Sequence, residues 1–130
     1  MKTNNYLYSD LTALILRAFY NVYNTLGYGF LEKVYENAMM IELNKIGLSC
    51  TQQQHIDVYY DEEKVGDYFA DIIVADKIIV ELKAAESLIG AHEAQLVNYL
   101  RATDMEVGLL LNFGKIPQHR RRVLTKEYKK

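Results

Sequence analysis

The segment Asp71-Ile-Ile-Val-Ala-Asp-Lys-Ile-Ile-Val-Glu81-Leu-Lys83 constrains this chain more than any other. The triplets Ile72–Val74 and Ile78–Val80 are β-branched and flank a short polar break, the pattern of two paired strands. If Ala75, Asp76 and Lys77 form a three-residue loop, antiparallel pairing puts Asp71 directly opposite Glu81. Opposed residues share a face, with Cβ atoms about 4.5–5.5 Å apart. A two-residue turn would instead send the two carboxylates to opposite faces. Facing carboxylates repel each other, and a fold keeps such a pair where a cation sits between them. Lys83, two residues beyond Glu81, projects from that same face. Two acids and an amine at one sheet end point to a metal-dependent hydrolytic site. The bland alternative is a Glu81–Lys83 ion pair on a solvated strand, with Asp71 ending the strand before it. The apolar triplets weigh against this, because they imply a central hairpin, and charges at the end of buried strands need a reason.

A chain of 130 residues, half of them apolar and a quarter charged, is the size and make-up of one soluble domain. No run approaches the roughly 18 apolar residues of a membrane span. The start, Met1 to Tyr6, lacks an apolar signal core, so the expected location is cytoplasmic. Cys50 is the only cysteine, which excludes an internal disulfide and any multi-cysteine zinc or iron–sulfur site within one chain; it reads as a half-buried strand thiol. Charge is uneven. Residues 119–130 hold six of the fifteen Lys and Arg but one of the seventeen Asp and Glu, leaving nine against sixteen, or −7, for the rest. An acidic body with a basic tail is not the footprint of a tight, non-specific DNA binder.

Along the chain, Asp10 reads as an N-cap, followed by apolar residues at helical spacing from Leu11 to Leu26 and a stop at Gly27. A second helix starts near Phe30 or Leu31 and ends at Gly47. Residues 49–60 are extended, Asp61 to Lys64 is a polar turn, and strands follow over 65–74 and 78–83. After a connection from Ala84 to Gly90, a third helix reaches about Ala102, and Glu106 to Asn112 is a buried strand. The last dozen residues fit a short edge strand, a frayed helix or disorder. The order is α-α-β-β-β-α-β, an α+β (α/β) fold with helices on a mixed sheet. It is divided as a single domain over residues 1–118 and a basic tail over 119–130.

Two carboxylates, Asp71 and Glu81, with one backbone carbonyl, that of Leu82, would suffice for Mg²⁺, which keeps several waters. Lys83 would orient or deprotonate a metal-bound water. On the third helix Gln95 and Tyr99 lie at i and i+4, on one face, with Gln95 placed to contact water or phosphate and Tyr99 to buttress it; Tyr99 alone reads as a core aromatic. His92, a turn earlier, is a surface or rim residue. The second helix carries Glu32 and Glu36, also at i and i+4. Acids in a first turn suit the helix dipole, yet Glu32 borders the buried stripe and is the first choice for a further metal ligand or water-positioning base, with Glu36 second.

Gly29-Phe-Leu-Glu32-Lys-Val-Tyr35 fits the motif that names the GxxExxY protein family. Tyr68-Phe-Ala-Asp71, Val80-Glu81-Leu-Lys83-Ala, His92-Glu-Ala-Gln95-Leu-Val-Asn-Tyr99-Leu and Gly108-Leu-Leu-Leu-Asn112-Phe-Gly114 resemble that family as well, so that the likeness covers about residues 10–120. The family is placed in the PD-(D/E)XK nuclease-like superfamily. The resemblance implies a restriction-endonuclease-like core, a mixed four-stranded sheet flanked by helices, with Asp71, Glu81 and Lys83 in the acid, acid and lysine positions. Gln95 and Tyr99 are similar to the glutamine–tyrosine motif of the RecB-like and Cas4-like branch, where Glu32 would match an acid on the helix before the sheet. Ala70 stands where the superfamily name has its proline, and the iron–sulfur cysteines of that branch are missing.

The reading that results is a Mg²⁺- or Mn²⁺-dependent nuclease hydrolysing phosphodiesters, in DNA ahead of RNA. Its rival is a nucleic-acid-binding or partner-dependent module with little activity alone. So small a domain also leaves room for a homo-oligomer or a protein partner.

Overall fold

The computed structural model describes residues 7–129. Met1 to Tyr6, read above as lacking a signal core, and Lys130, the last residue of the tail, lie outside them. The elements run α1 (Ser9–Leu26), α2 (Glu32–Lys45), β1 (Cys50–Tyr60), β2 (Glu63–Val74), β3 (Ile78–Lys83), α3 (Gly90–Arg101), β4 (Val107–Phe113) and β5 (Pro117–Val123), with a 3₁₀ turn over Lys126–Tyr128. One sheet takes the strands in sequence order, β1-β2-β3-β4-β5. Every pairing is antiparallel except β3–β4, where α3 provides the crossover that parallel strands need. The sheet is mixed, as the sequence predicts, but has five strands rather than four. It runs on past residue 118: Gly108 to Val107 pair with Arg122 and Val123, so the stretch left open as edge strand, helix or disorder is an edge strand through Val123. Pro117 begins it, a place where the missing N–H is tolerated.

Two differences of detail have simple causes. Helix α1 begins one residue before Asp10, with Tyr8 in the left-handed region at the N-cap; Asp10 sits in the first turn, where its charge suits the helix dipole. The polar turn after β1 shortens to Asp61 and Glu62, both at positive φ, as a tight hairpin between right-twisted strands requires.

Helices cover both faces of the sheet. Ile15, Phe19 and Val22 of α1 and Tyr35, Met39 and Leu43 of α2 pack on one face, against Val80, Leu109, Leu111 and Phe113 among others. Leu96 and Leu100 of α3 pack on the other, with Ile56, Ile79 and Leu110. Strand β4, sandwiched between them, is buried along its whole length, which explains its unbroken apolar run. Gly108 is what lets α3 come close: a Cβ there would stand 2.6 Å from Leu96 Cδ1.

No helix among the described residues is long and apolar enough to cross a membrane.

Candidate active site

The β2–β3 hairpin closes through Ala75 and Asp76, both at positive φ, with the Lys77 amide donating to the Val74 carbonyl at 2.9 Å. Its paired positions are Val74 with Ile78, Ile73 with Ile79 and Ile72 with Val80. Three residues therefore lie between the innermost pair, and the next position brings Asp71 to Glu81. There the strands stop exchanging backbone hydrogen bonds and the side chains take over. The Asp71 amide donates to Glu81 Oε2 at 2.9 Å, and the Leu82 amide donates to Asp71 Oδ2 at 2.8 Å. Beyond this point β3 pairs with β4 as far as Lys83 and Asn112, while β2 pairs with β1. The two carboxylates thus sit side by side where the sheet parts.

Their electrostatics follow from that placement. Burial, and then the neighbouring Asp71 carboxylate, push Glu81 up to about 8. Asp71 is also raised, first by burial and against the lowering effect of the Leu82 amide, with Glu36 and Glu32 adding like charge. Two acids held this way are short of positive charge.

Glu36 belongs to the same cluster and is 4% exposed. Its oxygens receive Gln52 Nε2 at 2.6 Å and Gln53 Nε2 at 2.8 Å, and Lys33 pairs with it at 2.9 Å. Gln53 Nε2 also lies 3.3 Å from Asp71 Oδ1, so one amide links the two acids. Gln53 is at φ +52, and that turned backbone is what aims its side chain here rather than along the strand. Glu32 is exposed and accepts from the Ala84 amide at 3.3 Å, just past the end of β3.

From the other face, α3 brings Gln95 Oε1 to 3.4 Å from Lys83 Nζ. Tyr99 stacks on Tyr68, with ring centroids 3.5 Å apart, and its hydroxyl is pushed up to about 12 by burial and then by Glu81 and Asp71. His92 turns away: its Nδ1 accepts from the Ile89 amide at 3.2 Å and caps α3.

Asp71, Glu81, Lys83, Gln95 and Tyr99 therefore converge at one sheet end, with Glu32 at its margin. Gln52, Gln53 and Asn112 were not legible in the sequence as part of it. Asn112 is fully buried beneath the segment after Lys83, accepting from the Ala85 amide at 2.9 Å and donating to the Ala85 carbonyl at 3.0 Å. Only a pattern of Gln at the turned strand and Asn opposite Lys83 would have flagged them.

A separate group, His55, Asp57 and Asp67, brings possible ligand atoms within 4.8 Å of one another on the β1–β2 hairpin. Here Lys64 Nζ already lies 3.2 Å from Asp57 and 3.3 Å from Asp67, so the chain supplies its own cation. The Asp71–Glu81 cluster differs in that, among the described residues, neither carboxylate makes a salt bridge, Lys33 pairing with Glu36 and Lys83 only partly offsetting the upward push on Glu81. All-oxygen donors suit a hard divalent ion, and the residues present fit one.

The fold is similar to that of SSO0001, known from its crystal structure, with a TM-score of 0.57 and 18% identity. The likeness covers 94% of this chain and 62% of that one, so this chain spans less than two thirds of its length. No curated protein matches. The profile of the PD-(D/E)XK nuclease superfamily matches residues 9–123, from the start of α1 to the end of β5, and the chain belongs to that superfamily.

Proposed function

We propose that this protein is a Mg²⁺- or Mn²⁺-dependent nuclease that hydrolyses phosphodiester bonds in DNA, a member of the GxxExxY group within the superfamily and akin to its RecB-like and Cas4-like branch. The observation that carries this is the pair of adjacent carboxylates, Asp71 and Glu81, at the parting of β2 and β3 with Lys83 two residues on. Nucleases of the superfamily use divalent metal ions and act on nucleic acid; the choice of metal and of DNA is the proposal's own.

Asp71, Glu81 and the Leu82 carbonyl would hold the ion. In an extended strand the amide and carbonyl of one residue point to the same neighbour, and the Leu82 amide points at Asp71. Glu32 would complete the set, with Glu36 held in reserve by its own partners. Bound there, a divalent ion supplies Lewis acidity toward a phosphate oxygen and lowers the pKa of water. Lys83 holds the attacking water or the charge that develops on phosphate. Gln95 fixes the lysine, and Tyr99 with Tyr68 walls off bulk water from Glu81. A site that is dry on one side and open at the sheet edge strengthens each of these interactions.

The test is cleavage of single-stranded, duplex and end-bearing DNA, with RNA of the same sequence alongside, in Mg²⁺, Mn²⁺ and chelator. Hydrolysis should require the metal, and Lys83→Ala should lower kcat by about a hundredfold or more, as loss of a general acid–base group does. Full activity in that variant would remove the mechanism. Strand binding without cleavage in any metal would favour a nucleic-acid-binding or partner-dependent module.

A further inference from the structure

Beside the acidic cluster, the loop between α1 and α2 meets the ends of β3 and β4 around a cleft of about 530 Å³, lined by Tyr28, Phe30, Leu31, Ala84, Phe113 and Lys115 among others. Three of its large side chains face water. Leu31 is 81% exposed, Tyr28 56% and Phe30 46%, a concentration of large apolar groups that ordinary surfaces avoid.

The loop is held in place. Gly29 adopts φ +109, which a side chain would resist. The Tyr35 hydroxyl donates to the Gly27 carbonyl at 2.7 Å and accepts from the Phe30 amide at 3.2 Å, while its ring stacks on Phe113 at 4.2 Å. The facing wall is pinned as well: the Tyr23 hydroxyl lies 2.8 and 2.7 Å from the Gly114 and Lys115 carbonyls. A rigid apolar cleft loses little entropy when it is filled. It is continuous with the proposed active site, because Glu32 lines it and also accepts from the Ala84 amide. Within it Lys115 is the basic group, while Glu32 and Glu86 stand on the β3 side.

Resting on the nuclease reading, we propose that this cleft takes an unpaired nucleobase of the strand whose phosphate lies at Asp71 and Glu81, so that the substrate is single-stranded or frayed at its end. In a duplex both faces of a base are already stacked; an unpaired base offers a free face to Tyr28, Phe30 and Leu31, a contact that tolerates any sequence. The carboxylates of Glu32 and Glu86 keep phosphates out of the cleft itself, and Lys115 meets the backbone at its edge.

The chain contains no tryptophan, so Leu31→Trp installs a single reporter at an exposed position. The experiment titrates this variant with a twelve-nucleotide oligothymidine and with a blunt duplex of equal length, in Ca²⁺, with the strand verified intact afterwards. Single strand should quench the emission and duplex should not. In parallel, Tyr28→Ala and Phe30→Ala should each weaken single-strand binding by about tenfold, the loss expected of one stacking contact. Ile41→Ala, on an exposed part of α2, should leave binding unchanged. Unquenched emission at saturating single strand, or alanine variants within twofold of the parent, would overturn the proposal. The cleavage assay is scored separately: cleavage with an inert cleft sinks this inference alone, and a working cleft without cleavage sinks the nuclease reading alone.

Discussion

The backbone amide of Asp71 hydrogen-bonds to the side chain of Glu81, not to the backbone of β3. The sheet therefore parts at the position where the half-buried Asp71 and the buried Glu81 stand, and each carboxylate satisfies a backbone donor that the parting releases. One geometric event opens an edge, fixes the acids and leaves their combined charge in need of a cation.

This arrangement fixes the pH dependence of the metal-free protein. Glu81 is pushed up to about 8 in the fold, against about 4.3 for an unfolded chain. The folded state then binds the proton more tightly, so stability is fullest below the unfolded value and declines as pH rises toward 8. Thermal melting should show a Tm that falls between pH 5 and pH 8 in chelator, with a free-energy change on the order of a few kcal/mol. Saturating Mg²⁺ should restore the loss at pH 8 and do little at pH 5, where the proton occupies the site. A Tm that rises with pH in chelator would contradict the assignment.

Gln53 gives its amide to both Glu36 and Asp71. Gln53→Leu removes that shared donor while keeping the side chain's bulk. Asp71 should become harder to ionise, and the apparent affinity for Mn²⁺ should fall by roughly tenfold to a hundredfold, on the scale of one hydrogen bond to a charged group. Calorimetry at pH 7 measures this. Unchanged affinity would mean that Gln53 serves the β1 turn alone.

Tyr35 is buried, and its hydroxyl holds the Gly27–Phe30 turn. Tyr35→Phe keeps the stack on Phe113 and strands one carbonyl and one amide, which should cost about 1–3 kcal/mol in chemical denaturation. Stability equal to the parent's would show that water substitutes for the hydroxyl.

At Gly108, an added methyl would meet Leu96 at 2.6 Å. Gly108→Ala should lower stability by about 1–3 kcal/mol, with cleavage reduced only as far as α3 carries Gln95 away from Lys83. An unaltered melting curve would mean that the Leu96 side chain swings aside.

Much of this was legible in the chain itself. The β-branched triplets with three residues between them set the register that opposes Asp71 and Glu81, because the side-chain period of a strand leaves no freedom once the loop length is known. Helical spacing located α1 and α2, since their buried stripes are continuous. The contribution of β1 to the site was not legible. Gln52 and Gln53 lie on a strand that the sequence marks only as extended, and it takes the positive φ of Gln53, a tertiary outcome, to turn an amide onto Asp71. Glu36 ranked behind Glu32 for a similar reason: helical periodicity gives a face, whereas the hydrogen-bond and ion-pair partners of Glu36, 4% exposed, come from Lys33 and from that distant strand. The basic segment from His119 was ambiguous because a run such as His119-Arg-Arg-Arg122 suits a solvated edge strand and a free tail equally well; pairing with β4 decides it.

The most direct test is a crystal soaked in Mn²⁺ and measured at a wavelength where manganese scatters anomalously. A peak between the carboxylates of Asp71 and Glu81, within about 2.0–2.4 Å of an oxygen from each as for small hard cations, is the predicted result. An empty cluster at saturating Mn²⁺, or a peak at His55, Asp57 and Asp67 alone, would contradict it.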